Sequence, residues 1–151
     1  MRRKQGMRIV AVVEDRQLER FVRKTLEAFG FDRNQVRVLE DYPNGKAGSG
    51  KQYVENKYRE EAVTFRRKNR ENIALLLGTE SDEQSVAERK QALDAQLATT
   101  NVPARNPDER IVFWIPRWHV ETWGLHLTGN AVEEVTNYHH IGGKIDWREA
   151  G

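Results

Sequence analysis

The chain has 151 residues, 38% of them apolar and 32% charged, with a formal net charge of +2. That length suits one domain with one substantial core, so residues 1–151 read as a single unit. No apolar run reaches the roughly 18 residues of a membrane helix, and the lack of cysteine excludes disulfides and thiolate metal sites. The short apolar run near the N-terminus ends in Glu14 and Asp15 rather than a cleavage site. These features predict a cytoplasmic protein without membrane contact.

"MRIVAVV", Met7 to Val13, is short, apolar and β-branched, which predicts a buried strand. Asp15 is placed to cap a helix over "RQLERFVRKTLEAFG". Its Leu18, Phe21, Val22, Leu26 and Phe29 recur at helical spacing, and Gly30 supplies the stop. "QVRVL" predicts a second strand, and a loop from Glu40 to Gly50 follows. The next helix runs from about Gln52 to Asn69, with Val54, Tyr58, Ala62 and Phe65 as its apolar face. "NIALLLG" is the third and most apolar strand, followed by "TESDEQS" and a helix from about Val86 to Ala98. A polar loop with Pro103 and Pro107 leads to strand four, "RIVFWI". Beyond Pro116, "RWHVETWGLHL" suggests a helical turn or short helix, and a further helix is expected from about Asn130 to Tyr138.

Strands alternating with helices predict an α/β fold: a mainly parallel sheet of about four strands flanked by helices in a three-layer, Rossmann-like arrangement. In such sheets the site lies at the carboxyl ends of the strands. Glu14 and Asp15 end strand one, Glu80 and Asp82 end strand three, and Arg117, His119 and Glu121 lie past strand four. Carboxylates grouped there suit a hard ion such as Mg²⁺ or Mn²⁺, which activates water and stabilises the oxyanions of a phosphodiester displacement. The plainer alternative makes Glu14 a helix N-terminal charge and Glu80 and Asp82 parts of a capped polar loop.

The loop "NGKAGSGKQ" places Gly45, Gly50 and Lys51 at the spacing of a nucleotide phosphate loop. Three features depart from that pattern. Gln52 stands where the metal-binding hydroxyl belongs, "EDYPN" separates the loop from strand two, and Gly78 ends "ALLLG" where an aspartate would face the metal. The loop reads instead as a basic segment beside the carboxylates, with Lys46 and Lys51 facing a nucleic-acid phosphate. From Lys51 to Arg70 seven Lys/Arg stand against three Glu, so Lys51, Arg66, Arg67, Lys68 and Arg70 either line a backbone path or form a solvated helix face. Arg117 is the stronger single phosphate contact. Trp114, Trp118 and Trp123 suit base stacking, but packing is the favoured role for tryptophans so spaced.

In order along the chain, "VVEDRQLERFV", "GKAGSGKQYV", "ALLLGTESD", "AERKQALD" and "IPRWHVETW" resemble a bacterial and phage branch of TOPRIM-like proteins. TOPRIM is the fold of topoisomerases, primases and overcoming-lysogenisation-defect nucleases. The resemblance implies that Glu14 is a general acid/base or metal ligand and that Glu80 and Asp82 correspond to the Mg²⁺-binding Asp-x-Asp pair. It makes Glu121 a further metal or site residue. It also implies a Mg²⁺- or Mn²⁺-dependent nuclease acting on DNA or RNA, in a phage-defence or mobile-element setting and beside an ATPase partner. This chain departs from the pattern at Glu80, whose longer arm moves the carboxylate by roughly one C–C bond where Mg²⁺ geometry is strict. That departure supports the alternative of a catalytically degenerate module that binds nucleic acid or a partner protein.

Overall fold

The computed structural model describes residues 6–43, 50–68, 72–81 and 84–116. Four strands, β1 (Arg8–Val13), β2 (Val36–Leu39), β3 (Ile73–Gly78) and β4 (Ile111–Trp114), alternate with helices α1 (Arg16–Ala28), α2 (Gly50–Arg67) and α3 (Val86–Ala98). All strand pairings are parallel, in the order β2-β1-β3-β4. The expected α/β sheet flanked by helices is therefore the observed architecture.

Side chains alternate across the sheet with the period of two that a strand imposes. Ile9, Ala11 and Val13 of β1 and Leu76 of β3 face α1, joining Leu18, Phe21, Val22 and Leu26 in one core. Val12, Leu75 and Leu77 face the other way, into a second core with Val54, Tyr58, Ala62 and Phe65 of α2 and Leu93 and Leu97 of α3. The handedness of βαβ connections explains the division. From β1 to β2 the chain moves one way across the sheet, and from β2 over β1 to β3 and on to β4 it moves the other. Right-handed crossovers then place α1 on one face and α2 and α3 on the opposite face.

Asp15 caps α1 as expected, its carboxylate accepting the Leu18 N–H at 2.9 Å. At the far end, Gly30 has φ of +96°. Its N–H donates to the Glu27 carbonyl at 3.0 Å, and Phe31 N–H donates to Leu26 at 3.1 Å, the paired bonds of a glycine-terminated helix. Two boundaries differ from expectation. Gln35 leaves the strand and closes a 3-10 turn at Arg33–Gln35. There its side-chain amide bridges the Met7 carbonyl and the Asp32 N–H, each at 2.9 Å. Helix α2 starts at Gly50, so Gly50 and Lys51 are helical residues rather than loop. Among the described residues no helix is long and apolar enough to cross a membrane.

Candidate functional site

Because the chain leaves β1 towards β2 and leaves β3 towards β4, a crevice opens between the carboxyl ends of β1 and β3. This switch point is where α/β sheets bind ligands. The register pairs Val13 with Gly78, the last residues of the two strands. Glu14 and Thr79 follow directly and meet across the crevice.

Glu14 is buried, and its Oε1 gathers donors from three directions. The Thr79 hydroxyl donates to it, the Glu80 N–H donates at 3.0 Å, and the Lys51 ammonium lies 3.7 Å away. Thr79 is held in turn by Arg89, whose Nε and Nη2 donate to the threonine oxygen at 3.0 and 2.9 Å. The guanidinium is only 2% exposed, and an ion so buried is tolerated only when paired and hydrogen-bonded. Glu55 of α2 supplies the counter-charge at 2.6 Å, and the Lys51 carbonyl accepts from Nη2 at 3.4 Å. Glu14, Thr79, Arg89 and Lys51 thus form a closed circuit joining β1, β3, α2 and α3.

Helix α2 approaches this circuit through Gly50. A Cβ there would stand 2.9 Å from both Cβ and the carbonyl oxygen of Glu14. The last glycine of "GKAGSGK" is therefore a close-packing residue that brings Lys51 within reach of Glu14. The exit of β3 is fixed from its other side, since Thr79 N–H donates to the Trp114 carbonyl at 3.1 Å and Ser81 N–H to Pro116 at 3.0 Å.

The structure thus brings together Glu14, the main chain of Glu80 and Lys51 among the expected site residues. Asp82, Glu121, Lys46 and Arg117 lie outside the described residues, as do His119, Trp118 and Trp123. Trp114 packs in the core, with ring centroids 5.1 Å from Phe21, so it takes the packing role. Arg66, open between a backbone path and a solvated helix face, is a structural tie: it forks onto Glu109 and also donates to the Pro103 and Ala104 carbonyls. Nearby on the carboxyl edge, the first turns of α1 and the exit of β2 line an open polar cleft with Arg16, Glu19, Arg20, Glu40 and Tyr42.

Among the described residues no group of three or more His, Asp or Glu gathers as a ready metal cage. The donor chemistry nevertheless fits a hard cation: Glu14 and Glu80 are both buried at the switch point, and carboxylate oxygen is the ligand such ions prefer. Sequence reading missed Thr79, Arg89 and Glu55. A signal for Arg89 was present, since it shares the i, i+4, i+8 stripe of α3 with Leu93 and Leu97, all three buried. Comparison with protein-family models, curated proteins and solved structures finds no match to this chain.

Proposed function

We propose that the carboxyl edge of this sheet is a Mg²⁺- or Mn²⁺-dependent phosphodiester-processing site acting on nucleic acid, of TOPRIM-like type. The observation that supports the reading most is the meeting of Glu14 with the Glu80 main chain at the β1/β3 switch point, beside Lys51. Glu14, Glu80, Asp82 and Glu121 would hold the ion, which supplies water activation and neutralises charge on phosphoryl oxygens. The protein positions the substrate. Lys51, Lys46 and Arg117, with Arg16 and Arg20 of the neighbouring cleft, carry the positive charge that a phosphodiester backbone requires. A cytoplasmic setting, a role in phage defence or a mobile element, and an ATPase partner accompany this proposal through the family resemblance.

The direct test incubates the protein with plasmid, single-stranded DNA and RNA in Mg²⁺ or Mn²⁺. Metal-dependent cleavage that is lost in Asp82→Ala and Glu14→Gln is expected. Absence of cleavage, or cleavage unchanged in Asp82→Ala, overturns the reading.

One observation favours a second reading, a non-catalytic module that binds nucleic acid or a partner protein. Oε1 of Glu14 is already engaged by Thr79, Glu80 and Lys51, as a structural carboxylate would be. Calorimetry showing no divalent-metal binding, with salt-sensitive DNA binding retained, selects this reading over the enzyme.

A further inference from the structure

Hydrogen-bond stoichiometry at Thr79 constrains what Glu14 can do. A hydroxyl has one proton to give and two lone pairs to accept with. Two N–H groups of the same guanidinium converge on the Thr79 oxygen, Nε at 3.0 Å and Nη2 at 2.9 Å, so towards Arg89 the hydroxyl accepts. A guanidinium offers donors and no acceptor, so the direction does not reverse. The single Thr79 proton therefore points at Oε1 of Glu14, as the contact between them requires. The Glu80 N–H enters the same oxygen at 3.0 Å, and the Lys51 ammonium sits 3.7 Å from it.

We propose that Arg89, acting through the Thr79 hydroxyl, is a positioning residue that makes Oε1 of Glu14 a fixed acceptor and so sets the orientation of the site carboxylate. The arrangement is a buried relay from Glu55 through Arg89 and Thr79 to Glu14. It crosses from α2 through α3 to the end of β3, so the orientation of the site carboxylate is tied to both helices on that face of the sheet. The carboxylate's role toward a metal rests on the proposed function. The relay itself does not.

The test therefore has two arms. In the first, carboxyl-carbon and arginine Nε NMR signals of Glu14 and Arg89, assigned with Glu14→Gln and Arg89→Lys, are compared in wild type, Thr79→Ser and Thr79→Val without metal. The relay predicts that both signals move in Thr79→Val, which cannot bridge, and stay in place in Thr79→Ser, which can. Unchanged signals in a folded Thr79→Val overturn the proposal. If Thr79→Val does not fold, displaced signals in Thr79→Ser overturn it equally, because serine keeps the whole hydrogen-bond pattern. In the second arm, Mn²⁺ affinity is measured by calorimetry. Outer hydrogen-bond partners of metal ligands are worth about 10–100-fold in affinity, so Thr79→Val weakens Mn²⁺ by at least about 10-fold and Thr79→Ser restores it. Coupled NMR signals with no Mn²⁺ binding in wild type leave the relay standing and remove the metal site. Tight Mn²⁺ binding unaffected by Thr79→Val overturns the claim that the relay orients a metal-holding carboxylate.

Discussion

Gly50 rests directly on Glu14: a methyl group added to the glycine would lie 2.9 Å from the glutamate carbonyl oxygen. On helix propensity alone, Gly50→Ala in α2 should stabilise by up to about 1 kcal/mol. Backbone contact of this kind reverses the sign. The neighbouring atoms belong to β1's exit, held in the sheet, so α2 must move instead, at a cost of about 1–3 kcal/mol. Chemical denaturation of Gly50→Ala should show that loss, and the Lys51–Glu14 approach should lengthen. A variant as stable as wild type would mean that the loop before α2 absorbs the shift.

Two buried tyrosines should answer oppositely to loss of their hydroxyls. The Tyr42 hydroxyl donates to Glu19 at 2.6 Å, where Arg23 also donates at 2.8 Å. Tyr42→Phe leaves the buried Glu19 short of a donor and should cost about 1–3 kcal/mol. The Tyr58 hydroxyl has no hydrogen-bond partner among the described residues, although Tyr58 is fully buried and packs edge-on to Phe113 at 5.4 Å. Tyr58→Phe removes a desolvated polar atom and should be neutral or stabilising. Equal losses in the two variants, read by thermal or urea unfolding, would contradict this accounting.

Lys51 is the residue through which the proposed nucleic-acid contact can be tested apart from cleavage. Its ammonium is 3.7 Å from Glu14 and its side chain 24% exposed, so it reaches both the carboxylate and the crevice mouth. If it meets a phosphate, Lys51→Met should weaken duplex binding and reduce the log–log salt slope by about 0.9, the counterion equivalent of one contact. An unchanged slope would confine Lys51 to its ion pair with Glu14.

The fold was legible because its signals are local. Periodicity located the four strands and three helices of the described residues, the helices expected beyond Pro116 lying outside them, and Asp15 and Gly30 announced the ends of α1 through capping chemistry that needs no tertiary context. The site was legible only in part. Glu14 and Glu80 followed from the rule that α/β sites gather at strand ends. Thr79 and Glu55 did not, because their roles depend on the β1/β3 register and on how α2 and α3 pack together. The role of Arg66 stayed open for a related reason. A cationic helix end looks the same in sequence whether it faces a phosphate or the glutamate 43 positions onward.

The tyrosines also predict the alkaline limb of stability. Burial, reinforced by Glu19, pushes Tyr42 up to about 12, and burial with the nearby Asp94 charge pushes Tyr58 up to about 12. Burial and Asp41 raise Tyr53 as well. An unfolded tyrosine ionises near 10. These neutral phenols therefore contribute stability that is fully present below about pH 10 and is lost as pH rises towards the folded values. Absorbance at 295 nm should show well under the full phenolate signal of the four tyrosines at about pH 11 in native protein, and nearly all of it in urea. Full ionisation near 10 without unfolding would show that these rings are open to solvent.

The acid limb turns on Arg66 and Glu109, which pair through two bonds of 2.9 Å. The same guanidinium donates to the carbonyls of Pro103 at 2.7 Å and Ala104 at 3.1 Å, fastening the end of α2 to the loop before β4. At neutral pH, Arg66→Ala should cost about 1–2 kcal/mol, the range for charge-assisted hydrogen bonds discounted for partial exposure. The hydrogen bonds from Arg66 hold Glu109 below its ordinary range. A carboxyl lowered on folding contributes stability that is present above its unfolded value, about 4.3, and is lost as pH falls through the folded value. The stability gap between wild type and Arg66→Ala should therefore be constant from about pH 7 to 5 and narrow below about pH 4. Urea titrations across that range measure it directly, and a gap independent of pH would mean that the carbonyl bonds, not Glu109, carry the contribution. The same variant should bind nucleic acid as wild type does, because its guanidinium is committed to the loop rather than turned towards a backbone.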